Sequence, residues 1–298
     1  MSPNIALGTH RCRDVPVAAA VAAAAGVDWI DTAPNYAQGN AQQLLAPVLS
    51  THPGIAVSTK VGFFDEVTGR AAVAAGAMTP EQAAAGHCLA PDYVTWQIRR
   101  NLRQLRRDRI DVLFLHNPDH VATDRAGHRA VFAAAFTALE KAVADGLIGD
   151  YGVASWSGFT DGTFTVAELV AIAGEVTADP RLTAVQLPVS LVMLQAVEQA
   201  LDGLGPLAEA QTARLDVFAS APLHGGELPA MLNRDLADFI RPGVSPVEAG
   251  LAVAASAPGV RRVLVSVSSA RHWKQAADAV TAPSLPEETL KKVADVLR

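Results

Sequence analysis

Several features of exported and membrane proteins are missing from this sequence of 298 residues. Only two cysteines occur, Cys12 and Cys88, and they have neither a CxxC spacing nor the clustering of a metal site. The start of the chain lacks the basic segment and long apolar run of a signal peptide. The apolar stretch Val15–Ala25 is rich in alanine and too short to span a bilayer. We therefore expect a cytoplasmic protein without disulfides or a membrane span.

Concentrated positive charge and grouped metal ligands are also scarce. The formal net charge is −6, and the densest basic run, residues 99–109, alternates with leucines as in a solvated helix face. His87, His120 and His128 do not show the spacing of metal ligands. We expect neither a nucleic-acid partner nor a metal ion.

Hydrophobic residues, by contrast, make up 50% of the chain, which is ample for a core. Short apolar runs alternate eight times with helical patterns, without an internal repeat or a linker. This order predicts an α/β protein whose residues 1–298 form one (β/α)8, or TIM, barrel with a C-terminal helix at Pro286–Leu297. The predicted strands are Asn4–Leu7, Trp29–Asp31, Ile55–Lys60, Ile110–His116, Tyr151–Ala154, Ala184–Pro188, Asp216–Ala219 and Arg262–Val267.

A long connection, Val61–Ala90, separates the third predicted strand from the helix predicted at Pro91–Leu105. Within it, Thr79 is followed by Pro80 and, two residues later, by Gln82, the pattern of a capped helix start. A connection of this length at the catalytic face of a barrel is usually functional.

Three predicted strands end in an ionisable side chain that a buried strand does not need. These are Asp31, Lys60 and His116, and Tyr36 follows Asp31 by five positions. In a parallel barrel the C-terminal strand ends meet at one face. There a lysine ammonium lowers the pKa of a tyrosine, an aspartate holds the lysine, and a histidine hydrogen-bonds the reacting oxygen. The pattern predicts a proton-donating site.

With these residues and several later motifs, the chain resembles the aldo-keto reductase superfamily. The resemblance implies a (β/α)8 barrel that uses NADPH to reduce aldehydes and ketones. It extends in order over nearly the whole chain. The matching pieces are Asp31-Thr32-Ala33 with Tyr36, Ser58-Thr59-Lys60, Arg109–Pro118, Gly152-Val153-Ala154-Ser155, Gln186 and Pro222–Gly226.

The resemblance also implies a role for each matching residue. Tyr36 would act as the general acid, Lys60 and Asp31 would tune it, and His116 would help to position the substrate. The cofactor would be NADPH or NADP⁺, with NADH possible. Residues implied to contact it are Ser155 and Gln186 at the nicotinamide carboxamide, Ser220, Leu223 and Gly225 after strand seven, and Ser266, Ser268, Arg271 and His272 near the 2′-phosphate.

Some positions depart from the family pattern. Ala154-Ser155 replaces the common Ser-Asn pair, and Ser220 stands where many members stack an aromatic ring on the nicotinamide. The stacking platform is therefore absent unless Trp156 or another aromatic residue supplies it. Only Arg271 and His272 bring positive charge close to the implied 2′-phosphate site. These departures keep two alternatives open: non-redox chemistry (a dehydration, isomerisation or cyclisation) and a non-catalytic regulatory subunit.

The expected partner is a small carbonyl compound, and its identity is not readable from the sequence. Phe63 and Trp156, directly beyond strands three and five, are the candidate pocket walls. Because the C-terminal helix is not followed by a long extra loop, we expect an open site for a mid-sized or bulky substrate. The oligomeric state stays open.

Overall fold

Eight parallel strands close into a barrel in the computed structural model, which describes residues 4–121, 124–267 and 269–297. Each strand pairs with the next one in chain order, and the first pairs with the last. The prediction of a (β/α)8 barrel is confirmed. The strands are β1 (Asn4–Gly8), β2 (Trp29–Asp31), β3 (Ala56–Val61), β4 (Ile110–His116), β5 (Ile148–Ala154), β6 (Leu182–Pro188), β7 (Asp216–Ser220) and β8 (Val260–Val265).

Helices surround the barrel, and the last of them is the predicted C-terminal helix. Within the described residues, no helix combines the length and the apolar character needed to cross a membrane. The helices are α1 (Val15–Ala24), α2 (Ala41–Thr51), α3 (Glu66–Ala74), α4 (Pro80–Ala84), α5 (Pro91–Leu105), α6 (Arg125–Ala144), α7 (Val166–Val176), α8 (Gln195–Leu201), α9 (Gly205–Thr212), α10 (Leu228–Met231), α11 (Arg234–Ile240), α12 (Pro246–Ser256), α13 (Ala270–Thr281) and α14 (Glu287–Leu297).

Side-chain caps fix where many of these helices begin. The predicted start at Thr79 is confirmed, because its hydroxyl accepts from the backbone N–H of Gln82 and the Gln82 side chain returns a bond to Thr79. The same reciprocal bonds begin α7 at Thr165 and α12 at Ser245. Each cap satisfies backbone donors that a helix leaves free at its first turn.

Short helices in the loops of the catalytic face are missing from the sequence prediction. Asp65 caps α3 through the N–H of Thr68, and Asn233 caps α11 through the N–H of Leu236. Neither helix carries a long apolar period, so local polar capping defines it instead. A search for hydrophobic periodicity therefore passes over both.

Alternate strand residues point into the barrel and fill it in levels. Apolar side chains occupy the middle, and the next inward position on the same strand carries a polar side chain, as in Phe114 then His116 and Ala184 then Gln186. Near the opposite end, the Arg262 guanidinium lies 4.3 Å from the Trp29 ring. The apolar level therefore separates the catalytic face from the other end of the barrel.

Gly152 is a position where the barrel wall leaves no room for a side chain. A Cβ there would lie 2.4 Å from the carbonyl oxygen of Ala184 and 2.6 Å from the Phe114 ring. We expect Gly152→Ala to lower the free energy of unfolding by about 1–3 kcal/mol, as in other overpacked cores. Urea unfolding measures this change.

Gly174 provides the matched control, because it lies exposed in α7 and a Cβ there meets no atom within 4 Å. Gly174→Ala should raise the free energy of unfolding by about 0.5–1 kcal/mol through helix propensity. Equal effects of the two substitutions would contradict the packing argument.

Candidate active site

Four polar side chains predicted from the strand ends meet at the C-terminal mouth of the barrel. Asp31 and His116 are the last residues of β2 and β4, Lys60 is the penultimate residue of β3, and Tyr36 follows β2 in a loop. The Tyr36 ring centroid lies 5.0 Å from the Lys60 Nζ and 6.0 Å from the His116 ring. The structure therefore brings all four together.

A buried ion pair forms the base of the site. Lys60 Nζ donates to Asp31 Oδ2 at 2.6 Å, and the two side chains are 0% and 4% exposed. Lys60 also donates to the carbonyl oxygen of Thr32 at 2.9 Å. The other Asp31 oxygen, Oδ1, accepts from Ser58 Oγ at 2.7 Å and Gln186 Nε2 at 3.1 Å. These bonds offset the desolvation cost of two buried charges.

Opposing influences act on the pKa of Tyr36. Burial raises the pKa of this phenol above its usual value, and the Lys60 ammonium offsets part of that rise. The Lys60 pKa is itself raised, because the attraction of Asp31 and Tyr36 outweighs the effect of burial. A protonated lysine beside Tyr36 stabilises the phenolate that remains after proton donation.

His116 is held neutral in this setting. Burial and then the positive charge of Lys60 lower the pKa of His116 well below its usual value. Its Nδ1 has no hydrogen-bond partner among the described residues, whereas the side chain lines the cavity above Tyr36. A neutral ring with its hydrogen on Nε2 can donate to an oxygen in that cavity.

Buried amides hold Lys60 from behind, and no sequence pattern predicted them. Asn101 Nδ2 donates to the backbone carbonyl of Lys60 at 3.0 Å, and Gln42 Nε2 donates to Asn101 Oδ1 at 3.0 Å. Thr59 Oγ1 donates to Gln42 Oε1 at 2.9 Å. The only available signal was polar residues on the inner faces of α2 and α5, which amphipathic helices normally reserve for apolar side chains.

A cavity of about 980 Å³ opens above the four residues and extends along the strand ends from β5 to β8. Arg271 is exposed and is not among the residues that line it, and Ser268 lies outside the described residues. Gln275, one helical turn after His272, lines the wall as well and was not predicted. Predicted cofactor contacts that line the cavity are Ser155, Gln186, Ser220, Leu223, Gly225, Ser266 and His272.

Ser155 lines the cavity, but its hydroxyl is already engaged. Its Oγ donates to Asp119 Oδ1 at 2.6 Å and accepts from the N–H of Gly158 at 2.9 Å. Gln186 uses its Nε2 on Asp31. The Ser155 hydroxyl and the Gln186 amide nitrogen are therefore both engaged, whereas the Gln186 side-chain carbonyl can accept a hydrogen bond from a nicotinamide carboxamide.

An exposed aromatic ring stands next to Ser155. Trp156 is 42% exposed and lines the cavity. Its backbone N–H donates to Asn117 Oδ1 at 3.0 Å, which joins the loops after β4 and β5. The rim of the cavity therefore carries an indole surface that the barrel core does not need.

Loops after β1 and β7 meet across the same cavity. Arg11 Nη1 lies 3.2 Å from Glu227 Oε1, and the Arg11 side chain packs over Gly225 so closely that a Cβ there would meet it at 2.4 Å. Gly226 has φ of +93° and leaves open space where its Cβ would stand. Exposed backbone of this kind suits a phosphate group.

Comparison with known proteins assigns the family. The model of the Aldo/keto reductase family matches residues 8–239, most of the chain. The chain belongs to this family. The resemblance seen in the sequence is thereby confirmed.

Sequence similarity to a curated protein is limited to part of the chain. A D-threo-aldose 1-dehydrogenase from a Pseudomonas species is 30% identical over 149 residues, which cover 44% of this chain and 40% of the relative. The chain therefore matches about two fifths of that protein's length.

Solved structures with a similar fold match almost the entire chain. A Klebsiella pneumoniae aldo-keto reductase solved in complex with NADPH is 19% identical, with a TM-score of 0.71 and coverage of 99% of this chain and 91% of that chain. A glycerol dehydrogenase from Gluconobacter oxydans is 19% identical, with a TM-score of 0.72 and coverage of 98% and 90%. At this level of identity the likeness establishes the fold.

Removing Lys60 should reveal the energetic cost of an unpaired Asp31. We expect Lys60→Met to lower the free energy of unfolding by about 3–5 kcal/mol, because it leaves one charge of a buried pair without its partner. Adding Asp31→Asn should recover part of this loss, because the remaining donors Ser58 and Gln186 still find an acceptor. Urea unfolding of both variants measures the effect. A double variant less stable than Lys60→Met alone would contradict this reasoning.

Proposed function

We propose that this protein is an NADPH-dependent oxidoreductase that interconverts a small carbonyl compound and its alcohol, with Tyr36 as the general acid and base. The observation that carries the proposal is the buried Asp31–Lys60 ion pair beside Tyr36. Lys60 Nζ lies 2.6 Å from Asp31 Oδ2 and 5.0 Å from the centroid of the Tyr36 ring. It gives this one phenol a neighbouring positive charge that can stabilise the phenolate. Such an arrangement has no evident structural use at a barrel mouth.

The residues present fit the cofactor. The cavity of about 980 Å³ has room for an extended ligand, and Gly226 leaves open space at its wall where another residue would place a side chain. Gln186 offers its amide carbonyl at the end near Tyr36, and α13 begins at the other end, where the start of a helix suits a phosphate. When bound, NADPH supplies a hydride for the carbonyl carbon.

The protein's own residues would then handle the oxygen. His116, held neutral, donates a hydrogen bond to the carbonyl and orients it. Tyr36 transfers its phenolic proton to the same oxygen, and Lys60 stabilises the resulting phenolate. In the oxidation direction, Tyr36 takes the proton back from the alcohol. The intact set of four argues against a non-catalytic regulatory subunit.

A second candidate is a narrower form of the first: oxidation of a sugar at its anomeric carbon. The D-threo-aldose 1-dehydrogenase relative favours it. The cavity rim supports it as well, because Trp156 offers an indole face and Asn117 an amide, both suited to a neutral polyhydroxylated ring. An activity screen of aldoses with NADP⁺ against simple aldehydes with NADPH separates the two candidates.

Tyr36→Phe removes only the phenolic hydroxyl. We expect kcat/KM to fall by about 10²–10⁴-fold, the usual contribution of general acid–base catalysis. The dissociation constant for NADPH should change little, since the ring and the cavity remain. Steady-state kinetics and fluorescence titration measure the two quantities. If the variant retains more than half of the wild-type activity, Tyr36 is not the acid.

Discrimination between NADPH and NADH tests the far end of the cavity. The 2′-phosphate adds negative charge there, and His272 and Arg271 are the candidate partners at the start of α13. His272→Ala should weaken NADPH binding by about 1.5–3 kcal/mol, the size of a hydrogen bond to a charged group. NADH binding should be nearly unchanged.

Arg271→Ala is the companion variant for that measurement by calorimetry. Because Arg271 is exposed and does not line the cavity wall, we expect an equal or smaller loss from it. An equal loss for NADPH and NADH in both variants would exclude this end of the cavity as the 2′-phosphate site. Failure of the folded wild-type protein to bind either cofactor would contradict the redox proposal and favour the non-redox alternative.

A further inference from the structure

His87 comes from the long connection between β3 and α5 and is buried against the end of β4. Its Nε2 lies 2.6 Å from the backbone carbonyl oxygen of His116. A carbonyl oxygen only accepts, so the His87 Nε2 carries the hydrogen. Burial lowers the pKa of His87, which agrees with a neutral ring that donates through Nε2. His87 thus bonds the backbone of a residue at the reaction centre.

Backbone pairing delivers His87 to this point. Phe63 and His87 form an isolated antiparallel bridge. The N–H of Phe64 donates to the carbonyl of Gly86 at 3.2 Å, and the N–H of Cys88 donates to the carbonyl of Gly62 at 3.0 Å. The connection therefore leaves β3 and returns to it, with helices α3 and α4 in between.

Gly62 makes the close approach of His87 possible. Its φ is +150°, and a Cβ there would lie 2.7 Å from the His87 Nε2 and 2.7 Å from the His116 carbonyl oxygen. Any other residue would push the imidazole away from the carbonyl. The hydrogen bond and the glycine therefore depend on each other.

The bonded carbonyl belongs to a peptide group that is held at both ends. Its N–H, on Asn117, donates to the carbonyl of Ala154 at 2.6 Å. Asn117 itself adopts φ of 47° and ψ of 61°, a left-handed conformation that costs energy for a residue with a Cβ. His87 on one side and β5 on the other stabilise this turn directly after His116.

The His116 ring needs such support. A functional histidine is usually oriented by a hydrogen bond to its second ring nitrogen, but Nδ1 of His116 has no partner among the described residues. Its orientation therefore depends on its backbone and on packing. Phe63 supplies the packing, with its ring centroid 5.2 Å from that of His116 and 4.6 Å from that of His87.

We propose that His87 is a positioning residue for His116: it fixes the His116–Asn117 peptide and, through it, the direction in which the His116 ring presents its Nε2. The proposal rests on the proposed function in one respect, namely that His116 orients the reacting oxygen. The connection between β3 and α5 would then contribute to the reaction centre through His87, although most of that connection lies away from the cavity wall.

Two substitutions at one position separate the hydrogen bond from the presence of a side chain. His87→Gln keeps an amide N–H at the reach of Nε2, whereas His87→Leu fills the site without a donor. His120→Leu is the packing control, because its ring contacts both Phe63, at 5.4 Å, and His87, at 5.9 Å, and neither bonds His116 nor lines the cavity. For His87→Leu we expect kcat to fall by about 10–10²-fold, as for a small displacement of a catalytic group. His87→Gln and His120→Leu should stay near wild type, and NADPH binding should be unchanged in all three.

A double-mutant cycle shows whether His87 acts through His116. In a His116→Ala background, His87→Leu should cause no further loss of single-turnover rate, because the group that it positions is gone. An equal fractional loss in both backgrounds would overturn the proposal. So would a loss in His87→Gln as large as that in His87→Leu.

A measurement independent of turnover keeps the two proposals apart. Hydrogen exchange of the Asn117 amide, read by NMR, should be about tenfold faster or more in His87→Leu, because the other end of the same peptide is released. It should stay unchanged in His87→Gln and His120→Leu. If His87→Leu does not fold, His87→Asn, whose shorter amide cannot reach the carbonyl, replaces it. Faster exchange in a protein without carbonyl turnover would contradict the proposed function alone, whereas unchanged exchange would overturn the role of His87.

Discussion

The contact between Lys60 and Asp31 is the constraint on which the site depends. Two opposite charges, 0% and 4% exposed, stand at 2.6 Å where a barrel otherwise buries apolar side chains. Their desolvation is costly, and the cost is offset only if every remaining polar atom is satisfied. Donors from β3 and β6 therefore converge on one carboxylate, through Ser58 and Gln186. The positions of three strand ends are thus linked to a single ion pair.

Inward-facing residues change along the axis of the barrel from apolar side chains, which stabilise the fold, to polar side chains, which form the site. Phe114 and Phe218, whose ring centroids lie 5.4 Å apart, fill the middle. One inward step further along the same strands, His116 and Ser220 face the cavity. Because the apolar level excludes water from below, the charges above it interact in a medium of lower dielectric constant than bulk solvent. The loops can then vary without disturbing the packed level.

The sequence could predict features that show within a few neighbouring residues, but not contacts between residues that are far apart in the chain. Asp31, Lys60 and His116 were recognisable because an ionisable residue at the end of a short apolar run stands out within a few positions. By contrast, the partner of Asn101 is the Lys60 carbonyl, 41 positions away, and the partner of the Ser155 hydroxyl is Asp119, 36 positions away. Such pairs exist only once the strands are aligned, so neither periodicity nor spacing indicates them. A resemblance to a family could name Ser155 as a cofactor contact, but it could not show that its hydroxyl is already bonded.

The positive charge of Lys60 also distinguishes the proposed roles of the two candidate proton donors, Tyr36 and His116. The Lys60 ammonium acts to lower the pKa of both His116 and Tyr36, with opposite consequences, although burial keeps the Tyr36 pKa above its usual value. For the histidine, a lower pKa removes the charged form, so the ring stays a neutral hydrogen-bond donor. For the tyrosine, the same field opposes the effect of burial and makes the anionic form, the product of proton transfer, more accessible. One buried ammonium thus favours Tyr36 over His116 as the acid, and it can do so only while Asp31 keeps it charged.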